Sequence, residues 1–541
     1  MLTFDPQSHR YPSIRNIVYA KNGMVCTSQP LASSIGIEIM RRGGNAIDAA
    51  IAVAGALPLV EPVCNGIGGD CFALIWTKEG KLYGLNASGI CPERLTAQAV
   101  RERGFEKIPL TGWTSVIVPG APAGWAAVHE RFCTMPLEEL WEPAIRTARQ
   151  GYPVSVNNEP LWRNEYDKIS KAASRDGIEA YQGWFDTFTV DGSPPKAGEL
   201  FRCPDMAETL TELARTDCKS FYHGDIMKRI VAFSEKTGGF FTEKDFEAYD
   251  AMWVEPISIN YKGYDVYEIP PNGHGITVLM ALNILKGLEL GEDRGSAQVY
   301  HKMIEAMKLA FVDARKYVAD ARFMTQKVED LLSDRYAAAR RSLIGGEAIY
   351  PEAGDPSCGD TVYFCTADAE GNMVSFIQSN YKHFGSGIVV PGTAISLQDR
   401  AMDLSMDPES DNYIEGGKRS YHTIIPGFLA KDGKAIGPFG VMGGFMQPQG
   451  HMQVIVNTID FHMTPQEALD CPRFQWVGGK KIQLERSVPS HVGKALARMG
   501  HEVEVLNDDV NMGRGQIIWR NGDGVLAGGT ESRADGSICV F

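Results

Sequence analysis

The sequence predicts an α+β protein whose strands stack in layers beneath helices. Three observations carry that prediction. Of 541 residues, 44% are hydrophobic and 22% charged, the proportions of a compact chain, which excludes wholesale disorder. Residues 140–350 show mostly helical periodicity. Beyond Pro351, strand hairpins alternate with pairs of helices.

Taken in order, the first element is a helix from Leu31 to Arg42, with Leu31, Ile35 and Ile39 on one face and Gly43-Gly44 ending it. Asn45 is placed to cap a second helix, AIDAAIAVAGAL, whose small residues allow close packing. EPVCNGIGGDCFALIW reads as a glycine-rich turn feeding a buried strand. A dinucleotide fingerprint needs the reverse order, strand before glycines, so that reading is set aside. The clearest helix runs from Val299 to Val318, where Met303, Met307 and Phe311 form a core stripe. PEAGDPSCGD has the composition of an exposed loop. TVYFCTA, DAEGN and MVSFIQS make one hairpin; HTIIPGFLA, KDGK and AIGPFGVM make another. After Gly443-Gly444, helices are predicted from about Gly450 to Ile459 and from Pro465 to Leu469. No internal repeat interrupts the series.

Several function classes fall away. Fifty-three Lys+Arg against 67 Asp+Glu gives a net charge of −14, without the cation surplus that non-specific nucleic-acid binding or adhesion to an anionic membrane needs. The opening MLTFDPQSHRYPSIRN has no apolar stretch and does not read as a secretory leader. The most apolar run, Ala46 to Val60, is broken by Asp48 and Pro58 and is shorter than the ~20 residues of a membrane span. Eleven scattered cysteines without a C-x-x-C pair predict reduced thiols and a cytoplasmic location. Cys64 and Cys71 lack a histidine at ligand spacing, and His383, His451 and His462 form no H-E-x-x-H pattern, so no metal is expected.

One residue has chemistry of its own. Thr361 follows the loop ending in Gly359-Asp360 and opens the first hairpin. Cutting the Asp360–Thr361 bond would give it a free α-amine, of ordinary pKa about 7.7–8.0, beside its own hydroxyl. That amine could act as general base for a hydroxyl otherwise too weak to attack an amide. Taken alone, a threonine at a strand start is commonplace.

The surrounding residues resemble a known family. GDTVYFCTADAEGNMVSF with FGSGIVVP is similar to the nucleophile region of the γ-glutamyltranspeptidase family of N-terminal nucleophile hydrolases. MVCTSQPLASSIGIEIMRRGGNAIDAAIAV, VPGAPAGWAAVHE with PAIRTARQGYPVS, IEAMKLAFVDAR, FGVMGGFMQPQGH and CPRFQW extend the likeness, in the family's order, over nearly the whole chain. The resemblance implies a four-layer αββα sandwich. It implies self-cleavage between Asp360 and Thr361 into a large part, 1–360, and a small part, 361–541, held together as a heterodimer or a dimer of heterodimers. Thr361 would be the nucleophile and Ser379 the hydroxyl that orients it. Gly443 and Gly444 would present oxyanion N–H groups, a role that suits residues without side chains. No cofactor is implied, because amine, hydroxyl and oxyanion donors all come from the polypeptide.

On the substrate side the chain departs from the transpeptidases. In LNASGICPERL, Ser88 falls where those enzymes carry the arginine that grips a glutamyl carboxylate, and serine cannot make that bidentate pair. His422 and Thr423 fall where two serines help hold the same carboxylate. Asp403 is in register with the aspartate that takes the glutamyl amine, and Arg400 falls where the family has a glutamine. GVMGGFMQPQGH and RSYHTIIPGF look more like the acylase and amidohydrolase branch. The expectation is an amide hydrolase for a small acidic acyl compound, with Arg400, alongside His422, pairing the carboxylate. Arg400 could instead make a structural ion pair with Asp399 or Asp403. The acidic stretch 404–418 occupies the position of the family's lid loop. A true γ-glutamyltransferase and an uncleaved binding protein are the competing readings.

Overall fold

The computed structural model describes residues 15–351, 361–508 and 511–541. Two seven-stranded sheets lie face to face at its centre. The first, antiparallel throughout, runs Ser537–Val540, Gly23–Thr27, Val362–Asp368, Met373–Ser379, Asp70–Trp76, Leu82–Ala87, Met252–Val254. The second, also antiparallel, runs Val18–Ala20, Leu526–Thr530, Arg514–Arg520, Lys434–Met442, Gly427–Lys431, Tyr264–Glu268, Ile257–Tyr261.

The pleat explains why the first sheet is apolar on both faces. Alternate side chains point opposite ways, so Tyr363, Cys365 and Ile377 enter the core between the sheets with Phe428, Met442 and Ile518. Val362, Phe364 and Phe376 point outward into a second core, shared with the helices Pro30–Arg41 and Ala46–Val60. The second sheet is covered likewise by Gly275–Leu285, Ala297–Tyr317 and Met446–Ile459. Helix, sheet, sheet and helix make the four-layer αββα sandwich of the N-terminal nucleophile hydrolases.

Asn45 caps its helix as expected: its side chain accepts from the N–H groups of Ile47 and Asp48, and Asp48 returns a bond to Asn45 N. Residues 140–350 are mostly helical as expected, interrupted by strands such as Met252–Val254, Ile257–Tyr261 and Tyr264–Glu268. Two helix boundaries need correction. The helix expected from Gly450 starts at Met446, and the next one ends at Asp470. Pro448 falls in the first turn, where its missing N–H leaves no intrahelical bond unmade.

Candidate active site

Sheet register builds the centre of the site. Val362 pairs with Gln378, so Thr361 at the strand entrance lies beside Ser379, and Ser379 pairs with Asp70 on its other side. Two hydroxyls and a carboxylate therefore meet at one rim of the sheet, all fully buried. The glycine-rich turn before Asp70 presses onto this rim. A Cβ on Gly69 would lie 2.5 Å from the Ser379 carbonyl oxygen, so only glycine fits.

Thr361 Oγ1 donates to Ser379 Oγ at 3.2 Å. The same Ser379 oxygen receives the N–H of Tyr381 at 2.7 Å and Nη2 of Arg400 at 3.3 Å. Arg400 Nη1 donates to Thr423 Oγ1 at 2.6 Å. Its guanidinium lies 4.2 Å from the centre of the Tyr381 ring, and its Nε meets no hydrogen-bond partner among the described residues. Burial lowers the pKa of this arginine, and the charges of Asp403, Tyr381, Asp70 and Asp399 oppose that shift. Asp403 stands 3.6 Å from Arg400 Nη1 and accepts the Tyr381 hydroxyl at 2.9 Å. Burial nevertheless raises its pKa, against the pull of Arg400 and Arg315. Arg400 thus faces Asp403 and also touches Ser379, the neighbour of Thr361.

His422 has a different engagement. Its Nε2 lies 2.9 Å from Asp70 Oδ2, and burial followed by the charge of Arg400 pushes its pKa down to about 4. That shift favours the neutral imidazole beside the Arg400 guanidinium. Ser88 sits one layer further out, bonded to Asn86 and to Asn272, whose carbonyl accepts the His422 N–H. Gly443 and Gly444 follow the Lys434–Met442 strand with φ of +129° and +56°, conformations that favour glycine. They open the helix that carries Gln447 to Thr361. Stretch 404–418 is tied to the N-terminal half of the chain through Cys91, bonded to Gly417 and Lys418, and through Thr325, which donates to Asp411. Asp360 lies outside the described residues.

Sequence reasoning missed four participants. Asp70, which accepts from Gln398 and Gly120 as well as facing His422, was visible only as the first residue after the glycine turn. Tyr381 sits in an ordinary-looking segment; Gln447 lies within the singled-out FGVMGGFMQPQGH but had no role assigned, and its Nε2 reaches Thr361 Oγ1 at 3.3 Å. Arg419 lies against the Ser88 carbonyl and hydroxyl, so a guanidinium fills the space beside Ser88 although the chain has no arginine there.

Among the described residues His301, Glu305 and His501 bring three possible metal-ligand atoms within 4.8 Å of one another. His301 Nδ1 and His501 Nε2 lie 2.8 Å apart, and Lys308 donates to Glu305 at 2.7 Å.

Comparison with known proteins places this geometry. The family model described as Gamma-glutamyltranspeptidase matches residues 32–541. A glutathione hydrolase-like YwrD proenzyme of Bacillus subtilis (strain 168) is 37% identical, covering 95% of this chain and 97% of that protein. An oxamate amidohydrolase proenzyme of Klebsiella pneumoniae is 32% identical over 96% and 98% of the two chains. Among solved structures, a cephalosporin acylase from Bacillus halodurans superposes with a TM-score of 0.96 at 54% identity, covering 100% of this chain and 99% of its own.

Proposed function

Since the chain belongs to the γ-glutamyltranspeptidase family, we propose that it is a self-processing amidohydrolase acting on an amide of a small acidic acyl compound through an acyl-enzyme on Thr361. In the precursor the Thr361 hydroxyl attacks the Asp360 carbonyl, the peptide bond becomes an ester, and water releases parts 1–360 and 361–541. The new α-amine then takes the hydroxyl proton as Oγ attacks the substrate amide. The C–N bond breaks, the departing amine carries that proton away, and water frees the acid and restores the hydroxyl. N–H groups of Gly443 and Gly444 steady the oxyanion at each stage.

One observation carries the choice of an acidic acyl group: Ser379 Oγ bonds both Thr361 Oγ1 and the buried Arg400 guanidinium. A carboxylate held by Arg400 therefore lies a few ångströms from the attacking oxygen.

Denaturing gels and mass spectrometry of wild type and Thr361→Ala test the processing: two bands with Thr361 at one new terminus are expected, and one band for the variant. A single intact band in both would favour a binding protein. Matured enzyme is then assayed on glutaryl amides and oxamate against a γ-glutamyl anilide. Faster turnover of the anilide, with transfer to an amino acid, would return the protein to the transferases.

A further inference from the structure

The segment MQPQGHMQ holds three glutamines on one helix, and they do different things. Gln449 Nε2 donates to the carbonyls of Phe445 and Trp476, and its Oε1 accepts Trp476 N. Gln453 Nε2 donates to the Gln449 and Phe474 carbonyls, and its Oε1 accepts Phe474 N. Both fasten the helix to the Phe474–Gly478 strand. Gln447 turns the other way. Its Oε1 accepts the N–H of Ile425 at 3.0 Å and its Nε2 donates to Thr361 Oγ1 at 3.3 Å.

The Ile425 bond removes the ambiguity of a buried amide. A backbone N–H can only donate, so the oxygen must face Ile425 and the NH₂ must face Thr361. The side chain is fully buried, and its own N–H bonds the Gly444 carbonyl at 3.1 Å. One tight turn thus delivers both the glycine pair and an amide donor aimed at the nucleophile.

We propose that Gln447 is a further catalytic residue, donating a hydrogen bond to Thr361 Oγ throughout the reaction. The inference rests on Thr361 being the nucleophile. With Ser379 and Gln447 both bonded to Oγ, the oxygen is held in one rotamer before attack, and its proton passes to the α-amine as the new bond forms. In deacylation the α-amine takes a proton from the attacking water, and negative charge returns to Oγ when the tetrahedral intermediate collapses and the acyl–Oγ bond breaks. The Gln447 N–H stabilises that charge until Oγ regains its proton from the α-ammonium. The same bond serves self-cleavage, where Oγ is the attacking atom.

The test uses full-length protein carrying Gln447→Met, which keeps volume and removes the donor, and Gln447→Asn, which keeps the amide but withdraws it by one methylene. Slower appearance of the two bands is expected, with kcat of the processed fraction lowered about 10- to 100-fold and KM within about twofold. Gln453→Met, which alters only strand fastening, is expected to keep wild-type kcat per processed molecule. Wild-type kcat in either Gln447 variant would overturn the inference, as would a rise in KM with kcat intact. If Gln447→Met does not fold, the asparagine variant decides alone. Thr361→Ala, run alongside, separates the two claims: activity there would sink the nucleophile itself, whereas a dead Thr361→Ala with an unimpaired Gln447→Met would sink only the role of Gln447.

Discussion

Arg400 is fully buried in a protein of net charge −14, and what surrounds it explains how a guanidinium tolerates that position. Ser379 and Thr423 accept its N–H groups, Asp403 faces it, and the Tyr381 ring lies beneath it. Replacing Arg400 with Gln removes the charge but keeps an amide donor. A charge-assisted hydrogen bond contributes about 1.5–3 kcal/mol, so KM for an acidic amide is expected to rise roughly 10- to 100-fold, with a much smaller effect on a neutral amide. Steady-state kinetics on such a matched pair measures this; equal effects on both would remove Arg400 from carboxylate binding. Arg400, Asp403 and Ser379 were legible because family register named their positions. Asp70 and Tyr381 were not, because their importance arises from strand pairing and ring stacking that no local pattern encodes.

At the scale of elements, local chemistry decided what could be read. The capping box at Asn45 and the turn before Asp70 were plain because cap and turn residues act on their immediate neighbours. The Ile257–Tyr261 and Tyr264–Glu268 hairpin was overlooked although ISINY alternates and Lys262-Gly263 both take positive φ, the signature of a two-residue strand turn. Surrounding helices drew that segment into the wrong period. The helix start at Met446 was hidden by Pro448 and by glycines whose left-handed backbone belongs to the site. Two predictions belong here. Asn45→Ala should lower stability by about 1 kcal/mol, seen as a lower melting temperature with processing intact. Gly443→Ala puts a Cβ 3.2 Å from Gly513 Cα at a φ of +129°, so the turn must shift. Processing on a denaturing gel is expected to slow sharply, and normal cleavage would mean this turn tolerates a side chain.

At the scale of the molecule, the two parts interleave. Strands Val362–Asp368 and Met373–Ser379 lie between Gly23–Thr27 and Asp70–Trp76, so cleavage before Thr361 frees no separable domain. The processed protein is expected to elute as one particle on native gel filtration, and separation of the parts without denaturant would contradict this interleaving. A buried pair spans the same junction: His451 Nδ1 lies 2.8 Å from Glu268 Oε1, with both side chains fully buried. Burial raises Glu268 well above the usual 4.5 and drives His451 from 6.5 down to about 3. The raised carboxyl and lowered imidazole favour a folded pair that holds one proton, on Glu268, where the unfolded pair between pH 4.5 and 6.5 also holds one, on the imidazole. The pair then adds no slope to stability. Above pH 6.5 the unfolded state has shed its proton, so stability falls as pH rises until the pH passes the raised pKa of Glu268. Below pH 4.5 the unfolded state gains a second proton and stability falls again, by at most about 1.4 kcal/mol per pH unit on either side. His451→Asn removes the imidazole contribution and leaves Glu268 alone, whose stabilisation declines steadily from pH 4.5 upward. The melting-temperature gap between wild type and variant should therefore widen from pH 4.5 to 6.5 and then stay level; a gap independent of pH would show that this pair does not exchange its proton on unfolding.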